Sequence, residues 1–138
     1  MVVLNREGRN PVVVSRSVYK GVERLDVRRH YYNAAGELCP TQKGVSLPLE
    51  TGLAAEALEA LRTVNGEERV LGASDSYPVV VKRKEFKGME LLDIRRHYVD
   101  RGSGELRPTR KGISLSTESG LDQEVIAAMA ELLAGGAA

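Results

Sequence analysis

The chain has 138 residues, a formal net charge of +1, one cysteine and no tryptophan. This length fits one ordinary domain or two very small ones. The single cysteine, Cys39, excludes an intrachain disulfide and a cysteine-based metal cage. No segment approaches the ~20 consecutive apolar residues of a membrane span, and the N-terminal residues lack the apolar core of a signal peptide. We therefore expect a soluble, cytoplasmic protein without membrane association.

The charges are unevenly distributed along the sequence. Residues 15–43 carry six basic and three acidic side chains, and residues 82–111 carry ten basic and five acidic ones. These blocks have net charges of +3 and +5, whereas residues 44–81 and 112–138 each have a net charge of −4. A protein that is nearly neutral as a whole can therefore present a positive face to an anionic partner.

The sequence contains an internal repeat. Residues 11–14 and 78–81 are both Pro-Val-Val-Val, and residues 28–31 and 95–98 are both Arg-Arg-His-Tyr, at an offset of 67 residues. One residue is then inserted in a Gly-rich loop, where insertions are tolerated, and the offset becomes 68. The matches extend over most of both halves, so the chain consists of two related units.

Each unit is predicted to contain, in chain order, an apolar stub, four strands and a helix. Alternating and β-branched residues indicate the strands, and apolar residues at helical spacing indicate the helices. In the first unit the stub is 2–4, the strands are 12–19, 22–32, 37–40 and 45–49, and the helix runs from Leu53 to Asn65-Gly66. In the second unit the stub is 70–71, the strands are 79–86, 89–99, 105–108 and 113–116, and the helix runs from Leu121 to Gly135-Gly136.

These elements predict an α+β fold of two ββββα repeats, each a four-stranded antiparallel sheet followed by a C-terminal helix. The first repeat spans residues 1–66 and the second residues 67–138. Two copies are too few for a solenoid, but two such units can pair about a two-fold axis. The connector between them spans at most about 50 Å when extended, so the units are neighbours. We expect an intrachain pseudo-two-fold dimer that is a monomer in solution.

The second strand of each unit follows a Lys-Gly turn and is rich in cations. In the second unit, Phe86 and Tyr98 lie among these cations, and single-stranded nucleic acids bind by stacking on aromatics and pairing their phosphates with cations. The alternative is a solvated basic face with both aromatics in the core, and periodicity alone leaves both open. Arg95 and Tyr98 point to opposite sides of a flat strand, so they face one ligand only if the strand twists strongly, bulges or ends earlier.

The sequence does not indicate enzymatic or metal chemistry. His30 and His97 each stand between an arginine and a tyrosine, without patterned carboxylates or cysteines, which favours plain strand histidines. Asp26 and Asp93 are interpreted as ion-pair partners of strand arginines. No phosphate-binding loop, dinucleotide fingerprint or nucleophile–base pair is recognisable. We therefore predict no catalytic residue, no metal and no cofactor.

A set of short motifs occurs in a fixed order in the second repeat, with counterparts in the first. The motifs are Phe86-Lys87-Gly88, Leu92-Asp93-Ile94-Arg95, Gly104-Glu105-Leu106 and Pro108-Thr109-Arg110-Lys111-Gly112-Ile113-Ser114-Leu115. Their order and spacing resemble the C-terminal domain of the positive cofactor four transcriptional coactivators, over most of the chain. The resemblance implies a dimer that holds single-stranded DNA, or melted duplex, along its sheets with little sequence preference.

The resemblance also implies which residues contact DNA. These are Tyr19, Lys20, Arg28, Tyr31 and Lys43 in the first repeat and Phe86, Lys87, Arg95, Tyr98, Arg107, Arg110 and Lys111 in the second. The family often carries tryptophan where this chain has Tyr31 or Tyr98. Cys39 and Gln42 replace the arginines of the second repeat in the first, so we expect the second half to bind phosphates more strongly.

The predicted function is non-enzymatic, non-sequence-specific binding of single-stranded DNA in transcription, replication or repair. RNA polymerase or other transcription proteins are further candidate partners, and a bacterial host would make the protein nucleoid-associated. Two alternatives remain open. One is a protein-interaction or transcription-regulator module, and the other is RNA binding, because stacking sheets distinguish the sugars only through a 2′-OH contact.

Overall fold

The computed structural model describes residues 1–4, 10–73 and 76–135. The first half contains strands β1 (Val2–Leu4), β2 (Val12–Tyr19), β3 (Val22–Tyr32) and β4 (Leu38–Pro48), followed by helix α1 (Leu53–Thr63). The second half contains β5 (Arg69–Leu71), β6 (Val79–Phe86), β7 (Met89–Val99) and β8 (Leu106–Ser116), followed by α2 (Leu121–Gly135). Gly136, predicted at the end of α2, lies outside the described residues. Within these ranges, neither helix is long and apolar enough to cross a membrane.

Each half forms one four-stranded antiparallel sheet, ordered β1-β2-β3-β4 and β5-β6-β7-β8. The predicted α+β fold of two ββββα repeats is therefore confirmed, but the identity of two strands was predicted wrongly. Segments 37–40 and 45–49, except for their outermost residues Glu37 and Leu49, belong to the single strand β4. Segments 105–108 and 113–116, except for Glu105, belong to β8. The apolar stubs supply the fourth strand, because β1 pairs with β2 and β5 pairs with β6.

β4 and β8 remain continuous because each accommodates a bulge. Three residues of β4, from Thr41 to Lys43, lie opposite the single residue Arg29 of β3. The Thr41 hydroxyl donates a hydrogen bond to the Arg29 carbonyl oxygen at 2.7 Å and accepts one from the Lys43 amide at 3.1 Å. Thr109 repeats this arrangement in β8. The bulge thus re-aims the basic residues of the strand without ending it.

The residue after each bulge has to be glycine, since the neighbouring strand approaches too closely for a side chain. A Cβ atom on Gly44 would lie 2.5 Å from the Val27 carbonyl oxygen and 2.7 Å from the Cα atom of Arg28. A Cβ atom on Gly112 would lie 2.5 Å from Cγ of Arg95. This close approach sets Arg28 and Arg95 directly against the bulges.

The two halves are interlocked through their helices. Helix α1 packs against β5, β6 and α2 as well as β4, and α2 packs against β1, β2 and β3 of the first half as well as β8. One continuous apolar core results, which includes Leu25 and Leu61 of the first half and Leu92 and Met129 of the second. The predicted intrachain pseudo-dimer is confirmed.

Two equivalent arginines, one in each sheet, donate hydrogen bonds to the C-terminal end of the helix from the other half. Arg16 of β2 donates a hydrogen bond to the Leu132 carbonyl oxygen of α2 at 3.0 Å. Arg83 of β6 donates to the Val64 carbonyl oxygen, just after α1, also at 3.0 Å. A cation is favourable there because the last carbonyls of a helix carry partial negative charge.

A second pair of arginines joins the two sheets. Arg29 donates to the Ser114 carbonyl oxygen of β8 at 3.5 Å, and Arg96 donates to the Ser46 carbonyl oxygen of β4 at 3.1 Å. Part of the basic character of residues 15–43 and 82–111 is therefore used to hold the halves together.

Candidate nucleic-acid interface

Two Lys-Gly turns present aromatic rings to solvent. Lys20 and Lys87 both have φ near 51°, and each is followed by a glycine with φ of 78°, the conformation of a two-residue type I′ hairpin. Lys20 Nζ lies 5.4 Å from the centroid of the Tyr19 ring, and Lys87 Nζ lies 5.3 Å from that of Phe86. The two rings are 61% and 55% exposed. The alternative that placed Phe86 in the core is therefore wrong.

The face of the first sheet that points away from the core is polar. We call it the first outer face, and it is lined by Ser15, Ser17, Tyr19, Arg24, Asp26, Arg28 and Ser46. Arg28 donates to both Asp26 carboxylate oxygens, at 3.0 and 3.1 Å, and to the Thr41 carbonyl oxygen at 3.0 Å. Its guanidinium is thus held in one orientation on this face.

The second sheet has an equivalent but more basic face. We call it the second outer face, and it is lined by Lys82, Lys84, Asp93, Arg95, His97, Pro108, Thr109 and Arg110. Phe86 is two and four residues from Lys84 and Lys82 in β6, so its side chain points to the same side of the strand and lies at the end of this face. The first outer face carries serines at the positions of both lysines.

Asp93 is a buried carboxylate that organises the cations of the second outer face. It is 1% exposed, and its oxygens accept from Arg95 at 3.2 and 3.4 Å and from the Ser114 hydroxyl at 2.6 Å. Lys84 Nζ lies 3.5 Å away. A buried charge is tolerated only when it is paired and hydrogen-bonded in this way. The predicted ion pairs of Asp26 and Asp93 with strand arginines are confirmed.

The structure does not bring Tyr98 to the same side as Arg95. The extra residues of the bulge lie in β8, so alternation continues along β7 and His97 lines the same face as Arg95. Tyr98 has the parity of the core residue Ile94, lies beyond the core and is 41% exposed. Tyr98 lies opposite Arg107 of the adjacent strand β8. Tyr31 has the corresponding position in the first half and is also exposed.

Arg107 is engaged in the loop that joins β7 to β8. Its Nε atom donates to Asp100 Oδ2 at 2.6 Å. The Gly102 amide lowers the pKa of Asp100 most strongly, and Arg107 and the Ser103 amide lower that pKa further. Asp100 is therefore ionised over the whole neutral range and offsets the positive charge of Arg107.

The remaining predicted cations lie where the two halves meet. Because β4 contacts β8, the bulge residues Gln42 and Lys43 share a depression with Arg95 and Arg110. Lys43, Arg110 and Lys111 are all exposed.

A neighbouring depression connects this junction with the first outer face. Its lining includes Arg24, Arg28 and Gln42 of the first half and Lys111 of the second. The two outer faces and the junction between them thus form one basic surface.

Sequence reasoning missed three residues that line this surface, Lys82, Lys84 and Arg24, and one exposed aromatic in a separate cleft, Tyr77. Lys82 and Lys84 could have been found from their spacing, since they lie four and two residues before Phe86 and must share its side of the strand. Arg24 could have been found in the same way from Arg28. Tyr77 precedes the predicted strand, and no repeat signal marks it, because the equivalent residue is Asn10.

The histidines form backbone contacts and no ligand cluster. His97 is 4% exposed, and its Nδ1 lies 3.2 Å from the Arg95 carbonyl oxygen. His30 Nδ1 lies 3.3 Å from the Arg28 carbonyl oxygen. In the described part of the chain, no group of three or more His, Cys, Asp or Glu side chains could hold a metal ion.

A comparison with protein families identifies the relatives of this fold. The family model described as Transcriptional Coactivator p15 (PC4) matches residues 8–54 and 75–119, which is one match for each repeat. The chain therefore belongs to this family of transcriptional coactivators, as its motifs predicted.

Two curated proteins show the same relationship. A Caenorhabditis elegans protein named as an RNA polymerase II transcriptional coactivator is 43% identical over 56 residues, covering 41% of this chain and 43% of the relative. The RNA polymerase II transcriptional coactivator SUB1 of Saccharomyces cerevisiae is 40% identical over 53 residues, covering 35% of this chain and 18% of the relative. The chain thus matches less than half the length of either relative.

Proposed function

We propose that the protein binds single-stranded DNA, or the separated strands of a melted duplex, along its two outer faces and with little sequence preference. The observation that carries this proposal is the pair of exposed rings, Tyr19 and Phe86, each at the end of an outer face and each with a lysine Nζ 5.3–5.4 Å from its centroid. The activity is non-enzymatic and serves transcription, replication or repair.

The outer faces offer the two interactions that single strands need. An unpaired base can stack on Tyr19 or Phe86, a contact that every base can make and that is unavailable to bases paired within a duplex. Arg28 and Arg95 are fixed by Asp26 and Asp93, so their guanidiniums are already oriented for phosphate oxygens. Such backbone contacts carry no sequence information.

The second outer face should dominate binding. It carries Lys82 and Lys84 where the first carries serines, and Arg110 where the first half carries Gln42. Arg107, which stands where the first half carries Cys39, shares its charge with Asp100. The asymmetry is available because the repeats are fused, whereas the two halves of a homodimer cannot vary separately.

A titration with labelled DNA tests the proposal. Fluorescein-labelled oligo-dT and a duplex of equal length are titrated by fluorescence anisotropy at two salt concentrations. We expect tighter binding of the single strand and weaker binding at the higher salt concentration. Equal affinity for both forms, or no binding, would refute the proposal. Unlabelled RNA as competitor distinguishes DNA from RNA binding.

Protein partners form the second part of the proposal. The matched relatives are named as RNA polymerase II transcriptional coactivators, which supports contact with an RNA polymerase or its associated proteins. Capture of an RNA polymerase by the immobilised protein in the absence of DNA would support a direct contact. A clean negative in the DNA titration together with such capture would favour the protein-interaction alternative.

A further inference from the structure

A separate cleft lies at the junction of the two halves, beside the strand that enters the second sheet. It has a volume of about 580 Å³ and is lined by Gln42, Ser76, Tyr77, Arg96, Arg110 and Lys111, among others. This volume is within the range of small-ligand sites, about 300–1,000 Å³. The exposed aromatic of this cleft, Tyr77, is not among the DNA-contact residues that the family resemblance implies.

Tyr77 is exposed on a backbone that is firmly held. Its side chain is 56% exposed, whereas its carbonyl oxygen accepts a hydrogen bond from Arg96 Nη1 at 2.8 Å. The other terminal nitrogen of Arg96 donates to the Ser46 carbonyl oxygen of the first sheet at 3.1 Å. The position of the Tyr77 backbone is thus fixed relative to both halves, which is the requirement for a preorganised stacking platform.

Two residues that line the cleft break the repeat. The residue equivalent to Tyr77 is Asn10, and the residue equivalent to Arg110 is Gln42. Gln42 and Arg110 line the same cleft, so one amide and one guanidinium meet where a symmetric dimer would place two identical side chains. Within residues 1–4, 10–73 and 76–135, the position equivalent to Tyr77 therefore carries no ring to combine with an amide and cations.

We propose that this cleft binds one unpaired nucleotide, with its base stacked on Tyr77 and its phosphate at Arg110 and Lys111. The Gln42 amide both donates and accepts hydrogen bonds, so it can pair with the edge of any base. Arg110 also lines the second outer face, so a strand on that face can place one nucleotide in the cleft without leaving its phosphate contacts. This inference rests on the proposed binding of single-stranded DNA.

Substitutions at position 77 test the site against matched controls. We compare Tyr77→Ala, Tyr77→Phe and Asn10→Ala in the full chain by titrating labelled oligo-dT. Loss of one stacked base should weaken binding by about 5- to 160-fold in Tyr77→Ala, whereas Tyr77→Phe and Asn10→Ala should bind like the wild type. Thermal melting confirms that each variant is folded.

A crosslinking experiment locates the base directly. Oligo-dT that contains 5-iodouracil is irradiated with the wild-type protein, and the attachment sites are mapped by mass spectrometry. We expect attachment to Tyr77 in addition to Phe86 and Tyr19. Competition with thymidine monophosphate shows whether the cleft prefers a free nucleotide or a nucleotide within the strand. If the cleft prefers a free nucleotide, low concentrations of thymidine monophosphate abolish the Tyr77 crosslink while the Phe86 crosslink persists.

The outcomes separate this site from the proposed function. If the wild type binds oligo-dT but Tyr77→Ala binds equally well and only Phe86 and Tyr19 are crosslinked, the nucleotide cleft is refuted and single-strand binding stands. If the wild type does not bind oligo-dT at all, both are refuted. Weakened binding in Tyr77→Ala together with a Tyr77 crosslink supports both.

Discussion

Replacing Lys82 and Lys84 by serine gives the second outer face the residues that the first already has. Both lysines line that face beside Arg95, and serines occupy the equivalent positions, Ser15 and Ser17. The double variant therefore removes two positive charges while keeping side chains that the same sheet architecture accommodates in the other repeat.

The size of the effect follows from counterion release. Each lost phosphate contact on a single strand reduces the magnitude of the slope of log affinity against log salt by about 0.7. Two lost contacts reduce this magnitude by about 1.4, which corresponds to a loss of about 25-fold in affinity at 0.1 M salt. Lys84 already lies 3.5 Å from Asp93, so its contribution is smaller. We expect a loss of about 5- to 25-fold and a slope reduced by about 0.7–1.4.

Fluorescence anisotropy of labelled oligo-dT between 50 and 300 mM salt, over which the screening length falls from about 14 to about 6 Å, measures both quantities. The reciprocal variant Ser15→Lys/Ser17→Lys should steepen the salt dependence. Arg62→Ser removes one positive charge from an exposed position on α1 and should leave binding unchanged. An unchanged slope in Lys82→Ser/Lys84→Ser, with the fold intact by thermal melting, would refute the assignment of the second outer face as the dominant binding surface.

Two further predictions concern the fold and its loop. Gly44→Ala should lower the free energy of unfolding by about 1–3 kcal/mol, because the new Cβ meets backbone atoms of β3; chemical denaturation measures the loss, Gly135→Ala is the neutral control, and equal stability of the two variants would contradict it. The pKa of Asp100 in the folded protein should lie below its pKa in the unfolded chain. The Asp100 carboxylate therefore stabilises the fold fully at pH values above its unfolded-state pKa, and this contribution is lost as the pH falls through its folded-state pKa. Arg107→Ala should raise this pKa only in part, because the Gly102 amide remains the larger cause; an NMR titration that showed no change would contradict the role of Arg107.

The regular parts of the fold could be predicted because local patterns determine them. The alternation in residues 12–19 and the Lys-Gly turns depend only on neighbouring residues, and the repeat confirms each pattern by showing it twice. The division of β4 into two strands failed because the bulge at Thr41 depends on a hydrogen bond to Arg29 in another strand. The sequence of β4 alone does not contain that partner.

Part of the interface could also be predicted from local patterns, because side chains alternate between the two sides of a strand. Parity along a strand would have assigned Lys82 and Lys84 to the side of Phe86, and the structure shows both on the second outer face. Parity also separates Tyr98 from Arg95, and no bulge in β7 reverses it. In contrast, Arg16 and Arg83 could not be recognised as links between the halves, since their carbonyl partners lie 116 residues away in α2 and 19 residues away just after α1.

The exchange of helices between the halves has a consequence for how the protein is made. Helix α1 ends at Thr63 and α2 at Gly135, so the ribosome adds 72 further residues after α1, which takes roughly 4–14 s at 5–20 residues per second. During this interval the apolar side of the first sheet lacks the helix that covers it, and two nascent chains could exchange their helices. Fusing the repeats limits this exposure to the synthesis time of one repeat, whereas separate subunits would have to meet by diffusion.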